Sequence, residues 1–281
     1  MAGAVLAGLL TACGSGATSD AVAPTPSSSA DPVARLPEVP GIAAEAVQQR
    51  TDAAIGGQVQ VRVTDTGTAP FTVTSVQLSS PGFALLPAKP VTARYAPGQT
   101  IDLPTPFGRV DCSVGVDPVG ARLTVQRSDG RTEELLVPLT GGTMAQVHGA
   151  ECAVQGVLAG VAVTVEELAD VGETMTGEVV LRRRAAEEPV EVSRLGGSVV
   201  LDLLPDDDLP VTLAAGEQEL RIPVTFDAAR CDPHALAETK KPFVLPLAVT
   251  VGDGGSVPVQ LPLDDGQRGR LQALLNRVCV G

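Results

Sequence analysis

The 281-residue chain has no tryptophan, one tyrosine and five phenylalanines. That scarcity argues against a carbohydrate-binding platform, which stacks sugar faces on large aromatic side chains. Histidine is almost missing too, with only His148 and His234. The five cysteines, at 13, 112, 152, 231 and 279, include no C-x-x-C spacing, so no zinc pattern is present. No Gly-x-Ser-x-Gly elbow occurs, neither histidine sits in a catalytic arrangement, and the chain is expected not to be an enzyme and to need no cofactor. Lysine accounts for three of the 20 basic residues and the net charge is −13. Nucleic-acid binding rests on basic clusters, so it is excluded as a partner. The same charge opposes direct adsorption to anionic lipid.

What the chain does have is 44% hydrophobic residues, mostly Val, Leu, Ala and Ile, with 30 glycines and 23 prolines. Many Val, Thr, Pro and Gly with few long periodic runs point to an all-β chain. The Ala, Val, Gly and Arg-over-Lys bias is the usage of a high-GC genome and suggests an actinobacterial source. After a polar N-terminal region about 230 residues remain, a length that suits two domains.

The N-terminus begins with an apolar run, Ala2 to Leu10, followed by Leu10-Thr11-Ala12-Cys13 and Gly14. The run is shorter than the roughly 20 residues that span a bilayer. An aliphatic residue, two small residues, cysteine and glycine resemble a bacterial lipoprotein signal with its lipobox. The resemblance implies that 1–12 is a cleaved signal peptide and that Cys13 carries lipid. It departs from the usual signal in having no Lys or Arg before Arg35. Residues 13–55 then read as a disordered tether, rich in Ser, Thr, Ala and Pro around Pro24-Thr25-Pro26 and too polar to offset chain entropy by burial. Its last part, from residue 41, holds Ile42, Ala43, Ala46 and Val47 and reads as a short helix or as the end of the tether.

Assigning Cys13 to lipid leaves four cysteines, which allow three pairings. An internal repeat selects one. Leu123 to Gly130 matches Leu247 to Gly254, and Leu136-Val-Pro-Leu139 matches Gln260-Leu-Pro-Leu263, both 124 residues apart. Each pair is two strands joined around Asp-Gly, a strong hairpin signal. Each half therefore has one cysteine before its hairpin and one after, and the expected disulfides are Cys112–Cys152 and Cys231–Cys279.

From Gln58 the pattern alternates strictly, then turns at Asp65 to Pro70. It alternates again from Phe71 to Leu78 with a phase slip that predicts a bulge near Ser75. This strand, Gly-rich turn and strand, followed by Pro81-Gly82-Phe83, resembles the opening of bacterial immunoglobulin-like domains over about 30 residues. Further strands are expected at 90–95, 99–104, 121–128 and 132–140. In the second half they fall near 160–166, 176–183, 189–194, 198–204, 209–213, 217–226, 243–251 and 256–263. The expected architecture is two tandem immunoglobulin-like β-sandwich domains, 56–155 and 156–281, with a short C-terminal helix. Asp264 or Asp265 would cap that helix, and Leu271, Leu274, Leu275 and Val278 share one face. The last segment is expected to differ from its partner in the first half.

Three polar groups remain. Arg182-Arg183-Arg184, followed by Glu187 and Glu188, reads as a solvated hairpin end. Asp206, Asp207 and Asp208 read as an exposed turn or, alternatively, a cation site lacking the calcium-loop pattern. His234 and Glu238 share one side of a helical turn starting at Asp232. The expected function is a non-enzymatic interaction or structural module of the cell envelope. It would be held at the extracytoplasmic face of the membrane through Cys13 and engage another envelope protein. The alternative is an accessory lipoprotein that binds a small ligand or cation.

Overall fold

The computed structural model describes residues 35–280. The expected signal peptide, Cys13 and the expected tether up to residue 34 lie outside them. The first half contains β1 (Ile42–Val47), α1 (Arg50–Ile55), β2 (Gln58–Asp65), β3 (Phe71–Ser79), β4 (Lys89–Tyr95), β5 (Thr100–Pro106), β6 (Gly120–Arg127) and β7 (Thr132–Thr140). A long helix, α2 (Thr143–Gly160), follows. The second half contains β8 (Val161–Val171), β9 (Thr174–Arg183), β10 (Val190–Leu195), β11 (Leu201–Pro205), β12 (Val211–Leu213), β13 (Glu219–Ala228) and α3 (Pro233–Glu238). It ends with β14 (Pro246–Val251), β15 (Val257–Gln260) and α4 (Asp265–Cys279). The protein is thus mostly β, with a C-terminal helix.

Two stretches differ from expectation. Residues 42–47, assigned to the tether, form β1, and 50–55 form the short helix α1. Ile42, Ala44 and Ala46 are buried while Ala43 and Glu45 are exposed. Alanine on both faces hides the period-two pattern from the sequence. The second difference is α2, to which no expected strand or helix corresponds. It runs straight through the boundary expected at 155/156, and the described residues cluster as one unit. Its buried residues are Met144, Val147 and Val157, interspersed with glycines that weaken a helix by about 1 kcal/mol each. Tertiary packing therefore carries it.

Strand order shows the repeat reaching further than the hairpins. The order β4-β3-β6-β7 in the first half recurs as β12-β10-β14-β15, and β1-β2-β5 recurs as β8-β9-β13, with β11 added beside β13. Each half then ends in a helix, so α2 is the counterpart of α4. In the second half the two sheets stay separate and enclose one core with Leu271, Leu274 and Leu275 of α4. In the first half β1 pairs parallel to β7 at Ala44–Leu139 and Glu45–Thr140, which merges both sheets into one of seven strands. That sheet nearly closes on itself, with Lys89 Nζ on β4 donating to Pro104 O on β5 at 2.7 Å. The bulge expected near Ser75 is a register shift between Val73 and Ser75 on both flanks of β3.

Helix α4 begins with a capping box in which Asp264 accepts from Gln267 N and Gln267 reaches back to Asp264 N. Its polar side covers the free edge of β8. Gln267 Nε2 donates to Val165 O at 2.6 Å, Arg270 Nη1 to Leu168 O at 2.6 Å and Arg277 Nε to Gly172 O at 3.1 Å. A bare strand edge is a template for unwanted pairing, and α4 removes this one.

Candidate functional site

One cluster of candidate groups, His148 with the Cys112–Cys152 bridge, lies along α2. Its first turns enter a small core with Leu78, Phe83 and Val110 of the first half, while Val157 near its end belongs to the core of the second. At its midpoint Cys152 is bonded to Cys112, with Cα atoms 5.6 Å apart. The second bridge, Cys231–Cys279, ties the end of α4 to the loop after β13. Both pairings are those read from the repeat.

His148 sits one turn before Cys152. Its Nε2 donates to the carbonyl oxygen of Asp111 at 3.0 Å, and its ring nitrogens lie 3.8 and 3.9 Å from Cys152 Sγ. The ring meets Phe83 edge-on, with centroids 5.7 Å apart. A side chain at Gly82 would put its Cβ 2.9 Å from the imidazole, so that glycine makes room for the ring. The Asp111 carboxylate is held below its usual range, chiefly by hydrogen bonds from the Ser113 hydroxyl and backbone amide. A cleft of about 340 Å³ opens beside the bridge, lined by Phe83, Arg109, Asp111, Cys112 and Gln155 among others.

The other candidates are placed apart from this cluster. Asp206, Asp207 and Asp208 are exposed between β11 and β12, and only Asp206 is engaged, accepting from Thr225 Oγ1 at 3.3 Å. Among the described residues, no group of three or more His, Cys, Asp or Glu side chains is placed to hold a metal ion. His234 and Glu238 lie exposed on α3, which Asp232 caps by accepting from Ala235 N. That capping bond holds the Asp232 carboxylate below its usual range.

The arginine run is a correction. Instead of ending a solvated hairpin, Arg183 donates to five backbone carbonyls, those of Ala186, Glu188, Leu213, Ala214 and Glu217, at 2.6 to 3.4 Å. Arg184 caps the C-terminus of α2 through Leu158 O, and the amides of residues 184, 185 and 186 converge on Gly160 O. Arg182 lies in an ionic ladder on the sheet surface with Glu166 and Glu219. An arginine run looks the same in sequence whether its donors face water or carbonyls, and only the fold supplies the carbonyls.

No family model matches the chain, and no curated protein does. Among solved structures, the exo-chitosanase CsxA of Amycolatopsis orientalis is 12% identical over 77% of this chain and 26% of its own, with a TM-score of 0.21. Red sea bream transglutaminase is 11% identical over 80% of this chain and 31% of its own, at 0.22. The YadV chaperone is 11% identical over 79% of this chain and 100% of its own, also at 0.22. The chain spans about a quarter to a third of the two enzymes. Superpositions at such scores carry no argument for a shared fold or activity.

Proposed function

We propose that this chain is a lipid-anchored protein of the extracytoplasmic membrane face, carrying two tandem immunoglobulin-like β-sandwich domains. They serve as a non-enzymatic interaction or structural module of the cell envelope. The observation that carries the reading is the cysteine arithmetic. Four cysteines are used in two disulfides within the folded part, which leaves Cys13 over, inside the lipobox-like Leu10-Thr11-Ala12-Cys13. Stable disulfides favour an oxidising compartment. The recurring strand order supports the tandem-domain reading. Among the described residues no helix is long and apolar enough to cross a membrane, so in this reading attachment comes from lipid.

Expression of the Cys13→Ser variant in a lipoprotein-processing host, with a lipid label and membrane fractionation, tests it. The parent should carry label and sediment with membranes, and the variant should do neither. Unlabelled parent, or a variant that stays in the membrane fraction, removes the anchor from the reading. Cross-linking on intact cells, using a probe placed on the folded part, tests the interaction role.

A further inference from the structure

We infer that Cys112–Cys152 is a thiol–disulfide exchange site, opened by a dithiol that attacks Cys112 Sγ and expels Cys152 toward His148. The two disulfides differ in one respect that bears on chemistry. An imidazole contacts Cys152 Sγ, and among the described residues no imidazole lies within hydrogen-bonding reach of Cys231 or Cys279. Because Nε2–H is committed to the Asp111 carbonyl, Nδ1 at 3.8 Å is the nitrogen left to serve the sulfur. Protonated there, it stabilises a departing thiolate, and a better-stabilised leaving thiol departs faster.

Access sets the direction of attack. Cys112 is exposed and lines the 340 Å³ cleft, whereas Cys152 is half-buried on α2. The incoming thiolate bonds to Cys112 Sγ as the Cys112–Cys152 bond breaks, and its electron pair leaves on Cys152 Sγ, which takes a proton from the imidazolium. The second thiol of the reagent then attacks its own sulfur in the mixed disulfide and releases Cys112 as a thiolate. The dithiol ends as a disulfide and the protein as two thiols, a balanced two-electron exchange. The consequence is structural. Opening the bond removes the covalent tie between the middle of α2 and the 107–119 loop and leaves only hydrogen bonds and packing there, at the helix whose residues enter the cores of both halves.

The test is a time course of reduction by dithiothreitol on the folded protein without denaturant, with alkylation and mass mapping of each bridge. Cys112–Cys152 should open about tenfold faster than Cys231–Cys279. With glutathione as a monothiol, the mixed disulfide should form on Cys112. His148→Gln should lower the ratio of the two rates toward one. Both bridges sample the same reagent and the same molecule, so the ratio cancels thiolate concentration and global stability. A histidine that only packs would loosen the site when removed and raise the ratio. His148→Phe keeps a ring against Phe83 without a proton and should behave as His148→Gln does. Equal rates in the parent, glutathione on Cys152, or a ratio unchanged or raised in both variants overturns the inference.

Discussion

Arg184 Nη1 donates to the carbonyl of Leu158 at 2.9 Å, so a side chain from the start of the second half closes the helix that leaves the first. The last carbonyls of any helix have no partner within it. Here the second half supplies them, through Arg184 and three amides gathered on Gly160 O. Arg184→Ala should cost about 1 kcal/mol, the usual size of one net hydrogen bond. Its signature is local: faster amide exchange in the last turn of α2, with exchange in β2 and β6 unchanged. Uniformly faster exchange across both halves would contradict this local role.

Arg183 carries a larger load. Its guanidinium serves five carbonyls from three separate stretches, and lysine offers only three donors on a flexible stem. Arg183→Lys should therefore destabilise nearly as much as Arg183→Ala, by roughly 1–3 kcal/mol in urea unfolding. A lysine variant within about 0.5 kcal/mol of the parent would mean that charge, and not the fork geometry, is what the site needs.

These two arginines show where sequence reading stops. Strands with Val, Thr and Leu on one face were legible to within a few residues, as were the Ser75 bulge, the Asp-Gly hairpins and the Leu271–Leu274–Leu275 face of α4. Each of those depends on neighbours in the chain. β1 and α2 were not legible, because alanine and glycine give no contrast between faces and their stability comes from distant partners. His148 was visible as a residue but not as a neighbour of Cys152, although the i, i+4 spacing would have given that contact once 143–160 was taken as helix. The donors of Arg183 and Arg184 meet carbonyls that no residue pattern encodes.

Asp52 is fully buried without a cationic partner. Its Oδ1 accepts from Gln58 Nε2 at 2.7 Å and Gln60 Nε2 at 2.6 Å, and its Oδ2 from Gln49 N at 2.9 Å. These bonds fasten α1 to β2. Asp52→Asn places an amide where three donors already converge and should be at least as damaging as Asp52→Ala. Each should cost roughly 2–4 kcal/mol, since the donors are left unmatched. Chemical denaturation of both variants checks this, and an asparagine variant as stable as the parent would show that the carboxylate is dispensable.

Glu166 gives the second half a small, acid-sensitive increment of stability. Arg182 grips both of its oxygens and Thr164 Oγ1 donates to one at 2.8 Å, so its carboxyl is lowered from 4.5 to about 2, chiefly by the Arg182 hydrogen bonds. A group whose folded value is depressed stabilises the fold fully above its unfolded value, and that share disappears as pH falls through the folded value. The stabilisation should thus be complete above about pH 4.5 and fade toward pH 2. Glu166→Gln removes the titration. The Tm difference between parent and variant should be constant from about pH 7 to 5 and then narrow as the pH approaches 2. The ladder is solvent-exposed, so the gap at neutral pH should be small and shrink in high salt. A gap that stays constant down to pH 2 would mean that Arg182 adds nothing to stability through the charge of Glu166.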